Sequence, residues 1–321
     1  MFQSLENVSY LYVVHHIDSG FVTHHRKRGE KNAQTTSSSD SAVGVSTAHM
    51  SDWRQELKVT NDKILVAFAW VHDEDLRSFK LFPELLAIDT TFGLNKQRRP
   101  LLVAVGIDGS QKSYIAFQAF MPSKQARAYN WALNVAMQEL LGVDTLTRTS
   151  IICTDEEDAL YSPLRREMIP TGFLSNAKHR LDMYHIFSGP YAAVPSDELG
   201  VKNTIQRWIS SFFDDVETED EFRLSYTLLL QYIDSVKERI LETSLIQVEK
   251  IVSDVYSNIK YLGNHHFMNQ TTFGFRGDSI AESVNSNFKT GSIRIDGKLS
   301  LEVSAERQLA VTNQRTQKKN R

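Results

Sequence analysis

The sequence predicts an α/β protein, a mixed sheet flanked by helices and interrupted by an all-helical block. Three observations carry this. Three apolar stretches, LLAIDTTF, PLLVAVGID and YIAFQAFM, follow one another from residue 85 to 121 and read as an antiparallel meander. A fourth strand, in TSIICTD, comes only after a helical pattern, so it reaches the sheet by a crossover and should run parallel to a meander strand. From about residue 197 to 265 there are long helical patterns with no strand signal, and a last helix follows at about 279 to 290.

In chain order, residues 1–25 alternate as a hairpin around Asp18-Ser19-Gly20, and residues 26–50, rich in Ser and Thr, read as a flexible linker. Residues 51–195 form the first part of the core. They start with a short helix, the strand ILVAFAWV and a second short helix, DEDLRSFKLF, and the meander follows, with tight turns expected between its strands. In ARAYNWALNVAMQELLG, Tyr129, Leu133, Ala136 and Leu140 share one helical face, and Gly142 is the stop signal. The short, nearly all-apolar fourth strand suits a position covered on both faces. DEEDALYSPLRREM is a helix that Pro163 kinks or delays, and FLSNAKHRLDMYHI is a fifth strand running into a helix. Residues 196–270 are the helical insertion, with Trp208, Ile209, Phe212 and Phe213 as one apolar cluster. Residues 271–295 return to the core, and 296–321 form a polar tail.

Composition narrows the function classes. No run approaches the length of a membrane span, and the N-terminus lacks the pattern of a secretion signal, so an intracellular protein with no membrane partner is expected. The single cysteine, Cys153, excludes a disulfide framework and a Cys-rich zinc module within this chain, and its apolar surroundings read as core. The formal net charge is −3, so any nucleic-acid contact must rest on local basic patches: HHRKRGEK near residue 24, KQRR at 96–99 and RTQKKNR at the C-terminus. His15, His16, His24 and His25 could meet across the hairpin, but histidine pairs alone are a weak metal signature.

The chemistry points to carboxylates. Asp89 ends the first meander strand and Asp155 stands just beyond the fourth. If those strands are adjacent and parallel, both acids meet at the strand ends where clefts form. Two carboxylates about 4 Å apart repel by a few kcal/mol at an effective dielectric of about 20, so a shared proton, a basic partner or a divalent cation must compensate. Oxygen-only ligands suit Mg²⁺ or Mn²⁺. Glu282, in the late helix, is the third candidate. Each acid also has a plain structural reading: Asp89 in a turn, Asp155 as a helix N-cap, Glu282 in a Ser279–Glu282 capping box.

Four blocks, AIDTTFGLNKQRRPLLVAVGIDG, ICTDEEDAL, HRLDMYHI and FRGDSIAESVNSNFK, resemble in order and spacing those of Mutator-like (MULE) transposases and of the plant far-red-response transcription factors derived from them. The resemblance spans roughly residues 60 to 295. It implies an RNase H-like catalytic domain with a helical insertion before the last acid. Asp89, Asp155 and Glu282 would then be the catalytic, metal-holding DDE set, binding two Mg²⁺ or Mn²⁺ ions about 3.5–4 Å apart for phosphodiester cleavage and DNA strand transfer. It also implies DNA as partner, a homo-oligomer on DNA and a nuclear location. Lys96, Arg98, Arg99, His179, Arg180, His185 and Lys289 are the candidate DNA contacts, with Arg98 and Arg99 equally readable as caps of an exposed turn. The sequence departs from the family where a Cys-x-x-His pair is expected, having Asp182 and His185, and one cysteine cannot build the zinc modules that often flank the catalytic domain. The functions to separate are therefore a transposase or its truncated remnant, a non-catalytic DNA-binding transcriptional regulator, a metal-dependent nuclease, and a protein with no nucleic-acid role.

Overall fold

A computed structural model of the chain describes residues 10–17, 20–27, 53–59, 65–182, 199–270 and 279–290. Among the described residues, nine strands form one mixed sheet in the order β2-β1-β3-β4-β7-β6-β5-β8-β9. Its central six are β4 (Leu65–His72), β5 (Leu85–Thr91), β6 (Leu101–Ile107), β7 (Ser113–Phe120), β8 (Ile151–Thr154) and β9 (Lys178–Leu181). The meander β5-β6-β7 is antiparallel, and β8 and β9 add in parallel on its other side. This mixed sheet with flanking helices and a helical insertion is the expected RNase H-like architecture.

Beyond β4 the sheet is extended by β3 (Trp53–Val59), β1 (Tyr10–Ile17) and β2 (Gly20–Lys27). The hairpin β1-β2 forms as expected, and its register sets His15 opposite Val22 and His24 opposite Val13, so these histidines are not direct cross-strand partners. The short helix expected after residue 51 is instead β3, laddered to β4 on one side and β1 on the other. Pairing on both edges outweighs a helical pattern only seven residues long.

The β6–β7 turn is tight because Asp108 accepts the backbone N–H groups of Ser110 and Lys112 on one oxygen, each at 2.9 Å. The β5–β6 connection, residues 92–100, is longer than the tight turn expected. Its shape comes from Asn95, fully buried, which donates to the Arg99 carbonyl at 2.8 Å and accepts the Arg99 N–H at 2.9 Å.

Helices cover both faces. On one lie α1 (Asp73–Leu81), α2 (Ala126–Asn130), a π-helical segment (Trp131–Met137) and α3 (Gln138–Leu141), which together make the helix expected there. Tyr129, Leu133, Ala136 and Leu140 are all buried in that layer. Gly142 ends it at φ 84°, a conformation that favours glycine. The short α4 (Val143–Leu146) leads into β8. α5 (Asp158–Pro163) continues through Pro163 as a π turn, Leu164–Met168.

The insertion comprises α6 (Leu199–Asp214), α7 (Glu219–Val236), α8 (Glu242–Ser257) and α9 (Ile259–Leu262). It has its own core, with Ile209, Phe212 and Phe213 buried and Trp208 packed against them. α7 begins with a capping box between Thr218 and Glu221. The last helix, α10 (Ser279–Thr290), lies on the opposite sheet face from α2 and packs Ala281, Val284 and Phe288 against residues of β5, β6 and β8. The linker from residue 28, the tail from 296 and the helix expected after β9 fall outside the described residues.

Candidate active site

β5 and β8 pair in parallel with Ala87 opposite Cys153 and Ile88 opposite Thr154. One step further, Asp89 stands level with Asp155. β8 and β9 pair with Cys153 opposite Arg180 and Thr154 opposite Leu181, which puts Asp182 level with Asp155 in turn. Three aspartates thus share one row across the ends of three parallel strands. Neighbouring strands are about 4.8 Å apart, and residues at one register position share a face. Here it is the face of Ala87 and Cys153, the one α10 covers.

Asp89 and Asp155 are half-buried and Asp182 is buried. The backbone N–H of Thr90 donates to Asp89 Oδ1 at 2.5 Å, and the side-chain amide of Asn285 donates to Asp89 Oδ2 at 2.6 Å. Glu282, half-buried, stands three residues before Asn285, hence on the same side of α10 one turn away. The helix that carries the glutamate is thus tied directly to the first aspartate.

The donor set is oxygen-rich, as Mg²⁺ or Mn²⁺ prefers. Asn285 is 4% exposed, and its Oδ1 finds no hydrogen-bond partner among the described residues. A buried acceptor without a donor costs about 1–3 kcal/mol. An orphaned oxygen beside a carboxylate is an environment that a cation would satisfy, so the residues present fit the divalent ions that the sequence implies.

Beside the row, the Tyr129 hydroxyl lies 3.1 Å from Thr90 Oγ1 and donates to Glu157 Oε1 at 2.8 Å, while Lys124 forms an ion pair with Glu157. Burial, with the Glu157 and Asp89 charges adding to it, pushes the Tyr129 phenol well above its ordinary pKa, so it is a stable hydrogen-bonding group and not a proton donor at neutral pH. Lys124 also sits 4.9 Å over the ring of Phe92, which is 45% exposed.

The basic candidates separate. Lys96 and Arg98 are exposed on the loop leaving β5, Arg98 at φ 53°. Arg99 is half-buried, and burial lowers its pKa. Lys289 lies in the last turn of α10, and His185 lies outside the described residues. His179 and Arg180 do not form the exposed basic patch expected of them: they are 4% and 2% exposed, because the insertion covers one face of β9 and Phe267 the other. The Arg180 guanidinium lies 4.8 Å from the Phe267 ring centre. His179 belongs to a closed network with Thr154, Arg165, Tyr161 and Tyr261, and burial, then the Arg165 charge, lowers its pKa from 6.5 to about 3. Cys153 is fully buried and its thiol is pushed up to about 12, chiefly by burial, as expected of a core residue.

Sequence reasoning missed Asn285, Asp182 as part of the acidic row, and the Tyr129–Glu157–Lys124 group. For Asn285 a signal existed: it stands at i+3 from Glu282 in the quoted motif. No helix among the described residues is long and apolar enough to cross a membrane.

The chain is 27% identical over 120 residues to the Arabidopsis thaliana protein described as "Putative protein FAR1-RELATED SEQUENCE 10"; the match covers 37% of this chain and 16% of that protein, so it spans about a sixth of the relative's length. Residues 85–189 match the family model of the MULE transposase domain; the strands that lead to Asp89, Asp155 and Asp182 lie within the matched residues and Glu282 lies beyond them.

Proposed function

We propose that this domain acts on DNA as a DDE-type polynucleotidyl transferase, cutting phosphodiester bonds and joining the freed 3′ end to a target strand in the nucleus. The observation that carries the reading is the level placement of Asp89 and Asp155 on adjacent parallel strands, with the Glu282 helix bonded to Asp89 through Asn285. Asp89, Asp155 and Glu282 would hold the divalent ions, which when bound supply Lewis-acid stabilisation of the charge developing on the attacking and leaving oxygens. The rest falls to the chain itself. The Thr90 N–H and the Asn285 amide fix the orientation of Asp89 before substrate arrives, so little reorganisation is needed during reaction. The exposed Lys96 and Arg98, on the loop leaving the same strand, are placed to take backbone phosphates.

The test is transfer of a labelled 3′-OH DNA end into target duplex with Mg²⁺ or Mn²⁺. Asp89→Asn should lower cleavage by on the order of 10³-fold while leaving the melting temperature near that of the parent. Cleavage at the parent rate by Asp89→Asn overturns the assignment. Cleavage without end joining would instead mark a nuclease, and DNA binding without cleavage a regulator that kept the fold.

A further inference from the structure

Away from the acidic row, a second group of ligating side chains comes together where the helical insertion rejoins the core. Glu219, at the start of α7, meets His265 and His266 in the turn after α9, and one ligand atom from each lies within 4.8 Å of the others. His265 Nε2 is 3.1 Å from Glu219 Oε2. The carboxylate's other oxygen, Oε1, accepts from Arg223 Nε at 3.1 Å, which sets its orientation. The His265 side chain is 4% exposed, stacked on Phe222 at 5.6 Å and set against Gly263, where an added Cβ would come within 2.9 Å of its Nδ1. Its Nδ1 is buried on the Gly263 side with no hydrogen-bond partner among the described residues, so Nε2 is the nitrogen that faces Glu219 and would take a cation. The His266 ring lies 4.1 Å from the His265 ring, and Lys178 of β9 donates to the His266 carbonyl.

We infer that Glu219, His265 and His266 form a binding site for a zinc-class transition-metal ion, which ties the first turn of α7 to the segment leading back to the sheet. Two imidazoles and a carboxylate suit Zn²⁺ and differ from the all-oxygen set that suits Mg²⁺. Ligand atoms about 2.0–2.1 Å from a tetrahedral ion lie about 3.3 Å apart, so the Glu219–His265 pair already has the required spacing, and the His266 ligand atom, within 4.8 Å of the other two, has to draw closer. Three protein ligands leave the fourth position to water. Arg223 then acts as the outer partner that orients a ligand.

The experiment uses the full chain, stripped with a chelator and titrated with Co²⁺ as a spectroscopic probe and with Zn²⁺ by calorimetry. The expected result is a tetrahedral-type Co²⁺ spectrum and a rise in melting temperature with Zn²⁺. Both should be lost in His266→Ala and in Glu219→Gln, which are chosen because neither side chain is in the core. Arg223→Ala should weaken Zn²⁺ binding by about tenfold. Asp89→Asn should keep the tetrahedral-type Co²⁺ spectrum and the Zn²⁺-dependent rise in melting temperature, which separates this site from the acidic row, and the difference between the parent and His266→Ala subtracts binding by the histidines of β1 and β2. Unchanged Zn²⁺ affinity and stoichiometry in His266→Ala, or no change in melting temperature with Zn²⁺ in the parent, overturns the proposal.

Discussion

The two faces of β8 and β9 are built from adjacent residues and behave in opposite ways. On one face Thr154 and His179 lie in a closed network. On the other Asp155 and Asp182 join the acidic row. The closed network has one consistent direction. Arg165 can only donate, so its Nε–H fixes His179 Nδ1 as the acceptor; Nε2 then carries the proton and donates to Thr154 Oγ1, and the Thr154 hydroxyl donates to the Asp155 carbonyl at 2.8 Å. The sealed face therefore holds in place the backbone of the acid presented on the opposite face, beneath α10. On the proposed function, positioning and chemistry are divided between the two sides of a strand four residues long.

This comparison is broken most sharply at Asn285. Asn285→Leu keeps the branched shape of a buried side chain and removes the donor to Asp89 Oδ2. We expect metal-dependent cleavage to fall by about a hundredfold, or about 2.7 kcal/mol in the barrier, with a melting temperature close to the parent's. Parent-like cleavage kinetics would mean that the acidic face does not depend on the late helix for its geometry.

The sealed face should respond in the other currency, stability. Arg165 lies 4.1 Å over the Tyr161 ring and 3.4 Å over the Tyr261 ring, so it bridges α5 and the insertion. Arg165→Ala removes both ring contacts and the bond to His179, and should cost about 2–3 kcal/mol in urea unfolding. Cleavage per folded molecule should fall only a few-fold, because Asp155 loses support and not a ligand atom. A hundredfold loss of cleavage at unchanged stability would reverse the division of roles.

The sequence made the acidic pair legible because the inference needed only two rules. A strand reached through a helix lies parallel, and apolar runs ending in aspartate put both acids at the same end of the sheet. The Asp155–Asp182 alignment depended on the register of β9, a strand of four residues with no alternation to fix it, so Asp182 read only as a missing cysteine. His179 and Arg180 read as a surface patch because nothing local shows that the insertion and Phe267 cover a polar strand from both sides. Asn285 was visible in its motif, but only the rotational phase of α10 shows that it, and not a neighbour, meets Asp89. The strand β3 was lost to helix for the converse reason: its partners are far away in the chain.

The smallest expected effect comes from pH acting on the sealed face alone. His179 is neutral when folded, with a pKa of about 3 against 6.5 when exposed, and protonating Nδ1 would turn it toward the Arg165 N–H as a second donor. The unfolded chain then takes up a proton below pH 6.5 that the folded chain refuses until about pH 3. Stability contributed in this way is fully present above pH 6.5 and declines as pH falls toward 3, by no more than about 1.4 kcal/mol per pH unit. Between pH 6.5 and 5 few carboxylates titrate, so the slope there belongs largely to histidine. His179→Gln should be less stable than the parent at pH 7, through lost packing, and should show a shallower decline over that interval in urea midpoints. Parallel pH profiles for parent and His179→Gln would mean that the histidine is protonated in the folded chain, and the hydrogen-bond direction running from Arg165 to Asp155 would then have to be reversed at its centre.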